Sequence, residues 1–143
     1  MIINQPHDTN VLKWSKGFGV RMTATLLKAQ KFVDSECIRL MTPYTPTLNT
    51  GLRKSAITGT KIGTGKIVYA SPYARYQYYG KLMVSSVTGS SYARQGESKV
   101  LTDKDLKYSK SREPLAGKLW FERMKADKLP QIKKGANAIL GGR

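Results

Sequence analysis

Between Thr42 and Gly80 the chain is cut into short pieces by prolines and glycines, so each element there is held to a few turns or a few paired residues. Pro43 and Pro46 end the helix before them, because proline lacks the N–H and disfavours helical geometry in the residue preceding it. Thr50-Gly51 reads as a turn into one short basic amphipathic segment, Leu52-Arg53-Lys54-Ser55-Ala56. Ala56 to Ala70 predicts two strands joined through Ile62-Gly63-Thr64-Gly65, a glycine hairpin. Ser71-Pro72 is a helix-start pair, with serine as cap and proline at the first helical position. It opens a helix over Tyr73 to Tyr79 that Gly80 closes.

Outside this stretch the pattern changes. From about Phe18 to Met41, Val20, Ala24, Leu27, Ala29, Val33, Cys37 and Leu40 recur at helical spacing, while Arg21, Lys28, Lys31 and Asp34 fall off that side. This is the longest helix expected. The first dozen residues are polar and read as an arm or loose end. Gly80 to Arg112 is rich in Ser, Gly, Lys and Thr with isolated apolar residues, and it reads as an extended arm or long hairpin ordered against a neighbour, with a long loop as the alternative. Within it, Val84 to Val87 and Lys99 to Thr102 offer two weak strands that can pair. Leu115 to Leu140 predicts two helices, with Pro130 restarting the chain; Leu119, Trp120, Phe121 and Met124 line the first, and Ile132, Ala136, Ile139 and Leu140 the second. Gly141-Gly142-Arg143 is a plain tail. The expected fold is α+β in a single domain over residues 1–143: a long first helix, a small antiparallel sheet holding the glycine hairpin, a short tyrosine-rich helix and two C-terminal helices.

Charge narrows the partners. The chain has 25 Lys and Arg against 9 Asp and Glu, a formal net charge of +16. No acidic residue lies between Glu36 and Glu97, an interval that holds Arg39, Arg53, Lys54, Lys61, Lys66, Arg75, Lys81 and Arg94. Such a field attracts nucleic acid, anionic membranes or acidic proteins, and charge alone does not choose among them. No basic region followed by an apolar run opens the chain, and no apolar segment approaches the ~20 residues needed to cross a bilayer. Cys37 is the single cysteine, so nothing points to an oxidising compartment, and a soluble protein acting inside the cell that makes it is expected.

Catalytic and metal chemistry finds little to work with. His7 is the only histidine, so neither a Ser–His–Asp nor a Cys–His arrangement can be assembled, and no zinc spacing exists. Cys37 falls on the apolar side of its helix and reads as a core residue. Asp103 and Asp105 alternate with Lys104 and Lys107 and read as a solvated turn. Gly59 to Ile67 suggests a phosphate loop only superficially. Thr60 stands where that motif needs glycine, and Ile67 where it needs the metal-binding hydroxyl. No catalytic residue, metal or cofactor is therefore expected. Tyr73, Tyr76 and Tyr79 share one helical side, which reads as packing in the core or between subunits, with base stacking as the other use of the cluster.

The ordered set of a proline pair, T-G-L-R-x-S (Thr50 to Ser55), the glycine turn and Tyr73-Ala74-x-Tyr76-x-x-x-Gly80 resembles the minor capsid and head–tail joining (tail-completion) proteins of tailed bacteriophages. It is most similar to the minor capsid family of phages of Gram-positive bacteria. Pro114-Leu115-Ala116-Gly117 and Trp120 to Asp127 resemble that family's C-terminal helix signature, and together the pieces cover roughly half of the chain. The resemblance implies a structural virion protein of the neck, assembled in the host cytoplasm, that forms a ring around the channel the genome crosses. It implies self-association as a hexamer or, alternatively, a dodecamer, and contact with neighbouring neck, portal-side or tail-terminator proteins and with the DNA, but with no membrane. The long Gly80–Arg112 segment departs from the broader family pattern. Candidate interface residues are Arg53 and Lys54 in the acid-free interval, Tyr76 and Tyr79 on the tyrosine helix, and Val84, Val87, Tyr92, Val100 and Leu101 in the arm. A small basic nucleic-acid-binding protein is the alternative; a nuclease or peptidase is disfavoured by the missing His and acidic constellation.

Overall fold

The computed structural model describes residues 15–47 and 50–141. The expected N-terminal arm, His7 and the end of the tail lie outside the described residues. Helix α1 (Phe18–Met41) matches the periodicity. Pro43 turns its end into a 3-10 turn, Thr42–Tyr44; the hydroxyl of Thr42 donates to the carbonyl of Ile38 (3.0 Å), and Met41 O accepts both the N–H (3.0 Å) and the hydroxyl (2.9 Å) of Thr45. The second half of α1 carries the packing, through Ala29, Cys37, Leu40 and Met41. Val20 and Leu27, expected on the buried side, are exposed.

The Ala56–Ala70 hairpin does not form. Its first half belongs to helix α2 (Gly51–Gly59), because Leu52 and Ala56, four residues apart, both find the core from one helical face. The chain does fold back across the glycine turn, but without a strand ladder: Ala70 N donates to Ser55 O (3.3 Å), and one side chain makes the other link. Thr60 Oγ1 donates to Val68 O (3.3 Å) and accepts from Val68 N (3.0 Å). Ser71-Pro72 opens a turn, and helix α3 (Ala74–Tyr79) begins after it; Ser71 Oγ accepts from Tyr73 N without capping the helix itself. Gly80 ends α3 as expected, with φ 73°.

The sheet lies instead inside the segment read as an arm or long hairpin, where the two weak strands do pair. Strands β1 (Lys81–Ser85) and β2 (Lys99–Asp105) pair antiparallel, with Val84 opposite Val100 and Met83 opposite Leu101, and a bulge between Lys81 and Met83. Asp103 and Asp105 are thus exposed strand residues and not a turn.

Helix α4 (Trp120–Ile139) is one element where two were expected. Pro130 sits inside it on the solvent side, where water can replace the bond that proline cannot make. Meanwhile Trp120, Met124 and Ile132 keep both halves against the core. α1 and α4 approach closely: a β-carbon at Gly135 would lie 2.2 Å from Phe32 Cζ, so only glycine leaves the ring its place. The core gathers where α1, α3 and α4 meet. Trp120, 1% exposed, receives the edge of Tyr78 at 4.9 Å between centroids and the tilted ring of Tyr69 at 5.4 Å. The chain enters α4 through Leu119 in left-handed geometry (φ 51°), a cost of about 1–2 kcal/mol. Leu119 N donates to Tyr78 O (2.8 Å) and Gly117 N to Tyr44 O (3.2 Å), which fixes how Trp120 is delivered to the core.

Candidate functional site

Two surfaces stand out, and one internal device shapes each. The first surface is the hairpin. At its base, Leu106 N donates to Gly80 O (2.8 Å), Lys81 Nζ pairs with the Asp105 carboxylate (2.9 Å), and the Tyr108 hydroxyl donates to Gln77 O. Burial, with Asp105 adding to it, pushes the Tyr108 phenol up to about 12, so this donor keeps its proton at neutral pH. At the far end, buried Ser85 is a hub: its hydroxyl donates to Glu97 (2.7 Å) and accepts from Val87 N and Thr88 N (both 3.2 Å). Glu97 also accepts from Arg94 N (3.2 Å). The tip therefore has an internal hydrogen-bonded order that composition did not disclose.

The hairpin shows several apolar residues to solvent among its polar ones. Val87 and Tyr92 are 75% and 74% exposed, and Val100 and Leu101 are exposed beside them; Val84 is half-buried. Each strand pairs on one side only, since the sheet has two strands, so both edges are open. Tyr76 is half-buried and lines the cleft under the tip with Tyr73, Met83 and Tyr92; Lys99 Nζ lies 5.7 Å from the Tyr73 ring centroid. Tyr79 is exposed and edges the Tyr78 ring. The tyrosine that enters the core is Tyr78, one position off the Tyr73–Tyr76–Tyr79 side.

The two cationic candidates part company. Lys54 is exposed, whereas Arg53 turns inward, donating to Thr45 O (3.2 Å) and bridging Glu113 (3.1 Å). Arg53 thereby ties α2 to the segment that leads into α4.

The second surface surrounds the glycine turn. Asp34, expected to face solvent, is 2% exposed. Its Oδ2 accepts from Gly63 N (2.7 Å) and Gly65 N (3.2 Å), and its Oδ1 from Gln30 Nε2 (2.7 Å). Successive backbone N–H groups in such a turn form an anion cradle. Here the anion is the protein's own carboxylate, so the resemblance to a phosphate loop has a physical basis and a different occupant. An aspartate 29 residues before its partner gives no local sequence signal.

Beside this turn an apolar groove of about 490 Å³ runs between α1, α3 and α4, lined by Val33, Cys37, Ile67, Tyr79 and Phe121 among others. Burial, helped by Asp34 and Glu36, pushes the Cys37 thiol up and keeps it neutral, as suits a wall residue. Among the described residues no group of His, Cys, Asp and Glu is placed to hold a metal ion, and no helix is long and apolar enough to cross a membrane.

The carboxylates are mostly taken. Glu36 bridges Arg39 (2.8 Å), whose hydrogen bond holds it below its usual range, and Glu113 bridges Arg53. Asp105 bridges Lys81, and Asp127 accepts from the Tyr44 hydroxyl (2.6 Å). Among the described residues most Lys and Arg take part in no ion pair. The arrangement offers binding surfaces of apolar and cationic character.

A comparison with curated proteins and one with solved structures gave no match. A family model described as minor capsid protein matches residues 19–139, from the second residue of α1 to the last of α4, and so spans every element that builds the core and the hairpin. The chain belongs to the minor capsid protein family and is a structural protein of phage particles.

Proposed function

We propose that this protein is a ring-forming component of the phage neck that joins or completes the head–tail connection around the DNA channel, working by binding and without turnover. Family membership supports the virion role. The single observation that carries the finer reading is the hairpin: a two-stranded ribbon tied down at its base, open at both edges and bearing exposed Val87, Tyr92, Val100 and Leu101. Such a ribbon gains burial and strand pairing only from a neighbour. The neighbours proposed are further copies of the chain, six in the favoured ring and twelve in the other, and adjoining neck, portal-side or tail-terminator proteins, met during assembly in the host cytoplasm.

Replacing residues 86–98 by a short glycine linker tests this. The variant should keep the helical signal and unfolding transition of the parent yet fail to enter particles, leaving heads without joined tails. Normal incorporation of the variant would refute the hairpin as the joining element. Imaging parent particles then gives the ring symmetry directly.

A further inference from the structure

Lys61 and Lys66 flank the glycine turn, and Lys28 and Lys31 lie on the helix beneath it; all four are exposed. Lys28 and Lys31 are three residues apart, the spacing that sets side chains next to each other on a helix. The stem of Lys31 runs along the turn: a β-carbon at Gly63, where φ is +99°, would lie 3.1 Å from its Cγ and 3.5 Å from its Cε. Gly65 is packed the same way against Gln30, at 3.4 Å. Thr64 Oγ1 donates to Lys61 O (2.8 Å) and keeps the turn compact. The four ammonium groups therefore belong to one surface, built where the turn is laid across α1.

Nothing neutralises that surface fully. Asp34 is the acidic group that meets the turn, and its oxygens are committed to Gly63, Gly65 and Gln30. None of the four lysines takes part in an ion pair among the described residues. Lysine is a point charge with no geometric demand, suited to sequence-independent contact with phosphates. Protein interfaces, by contrast, are enriched in arginine and aromatic residues and depleted in lysine.

We infer that Lys28, Lys31, Lys61 and Lys66 form a binding surface for the phosphate backbone of duplex DNA, distinct from the hairpin. Because Asp34 already fills the backbone cradle, recognition is by side-chain charge. Binding should then be indifferent to sequence and poorly competed by inorganic phosphate.

The test uses the full chain and a short fluorescent duplex of arbitrary sequence, titrated by anisotropy between about 50 and about 200 mM salt. Changing all four lysines to glutamine is compared with a control of equal charge, Lys107, Lys110, Lys133 and Lys134 to glutamine. The patch variant should lose at least about tenfold in affinity and about three in the slope of log affinity against log salt, while the control changes by less than about threefold. Equal losses in the two variants would mean that net charge alone attracts DNA, and the inference would fall. It would fall equally if the parent bound no duplex at the lowest salt, or if the patch variant kept DNA affinity but lost incorporation into particles, which would make the patch a protein contact. The measurement needs no assembled ring, so a failed neck reading and a failed DNA surface give different results.

Discussion

The helical body and the hairpin are built from opposite kinds of interaction. The body is held by apolar burial around Trp120, Met124 and Met41, which are almost wholly withdrawn from water. The hairpin is held by hydrogen bonds, from the Tyr108 hydroxyl at its base to the Ser85–Glu97 hub at its tip, while Val87, Tyr92, Val100 and Leu101 face outward. Burial of side chains is cooperative and resists local opening; exposed backbone and hydroxyl bonds each add only about 1 kcal/mol net. One region is therefore expected to set the stability of the chain, and the other to be free for contact. The same division explains why the hairpin can end in apolar residues without harming the fold: they lie outside the buried core around Trp120.

The sharpest way to break this contrast is at the centre of the body. Trp120→Ala should cost about 3–5 kcal/mol in denaturant unfolding, since it removes the ring on which Tyr69 and Tyr78 rest. A loss below 1 kcal/mol would mean that the core is elsewhere. Next in size is Asp34→Ala, which strips two backbone donors of a buried charged acceptor and should cost about 2–3 kcal/mol. Amide exchange at Gly63 and Gly65 should speed up in that variant well before the rest of the chain. Pro130→Ala restores a helical N–H and should stabilise the body by about 1–3 kcal/mol; a destabilised variant would show that α4 needs its proline.

Smaller effects are expected in the hairpin. Ser85→Ala should leave global stability within about 1 kcal/mol while removing amide protection at Val87 and Thr88. If its loss instead matched that of Trp120→Ala, hairpin and body would be one cooperative unit. Alkaline pH offers a variant-free comparison. The folded Tyr108 phenol titrates at about 12 against an ordinary 10.0, so the unfolded chain loses this proton first. The stabilisation it gives is whole below pH 10.0 and is lost as pH rises through about 12. Following the Tyr108 ring by NMR should show the late titration, and Tyr108→Phe should abolish it.

Part of this molecule was legible residue by residue. The span of α1, the stop at Pro43, the end of α3 at Gly80 and the core placement of Cys37 all follow from local rules about periodicity, missing donors and turn geometry. The paired strands around Val84 and Val100 were also visible as weak segments. The errors share a cause. Ala56 to Gly59 was expected as strand but is helix, because Leu52 and Ala56 bury from one helical face. Pro130 marks a break in any isolated helix, yet α4 continues past it because Trp120, Met124 and Ile132 are pinned to the core on the opposite side. Of the α3 rings it is Tyr78 that packs on Trp120, so the core alternative for the Tyr73–Tyr76–Tyr79 side fails, since a helix of six residues turns whichever ring fits Trp120 inward.

The sequence by itself determined the class of the fold, the excess of positive charge, the poverty of catalytic groups and the family, because composition, period and motif order are local or additive properties. Only the tertiary structure decided that Asp34 fills the glycine turn, that Arg53 is an internal tether while Lys54 stays free, and that Ser85 and Glu97 organise the tip. Each of these joins residues between 12 and 60 positions apart through a bond whose formation depends on burial and mutual orientation. No window of the chain carries that information, since a carboxylate or guanidinium far from its partner has the same local sequence whether it meets that partner or meets water.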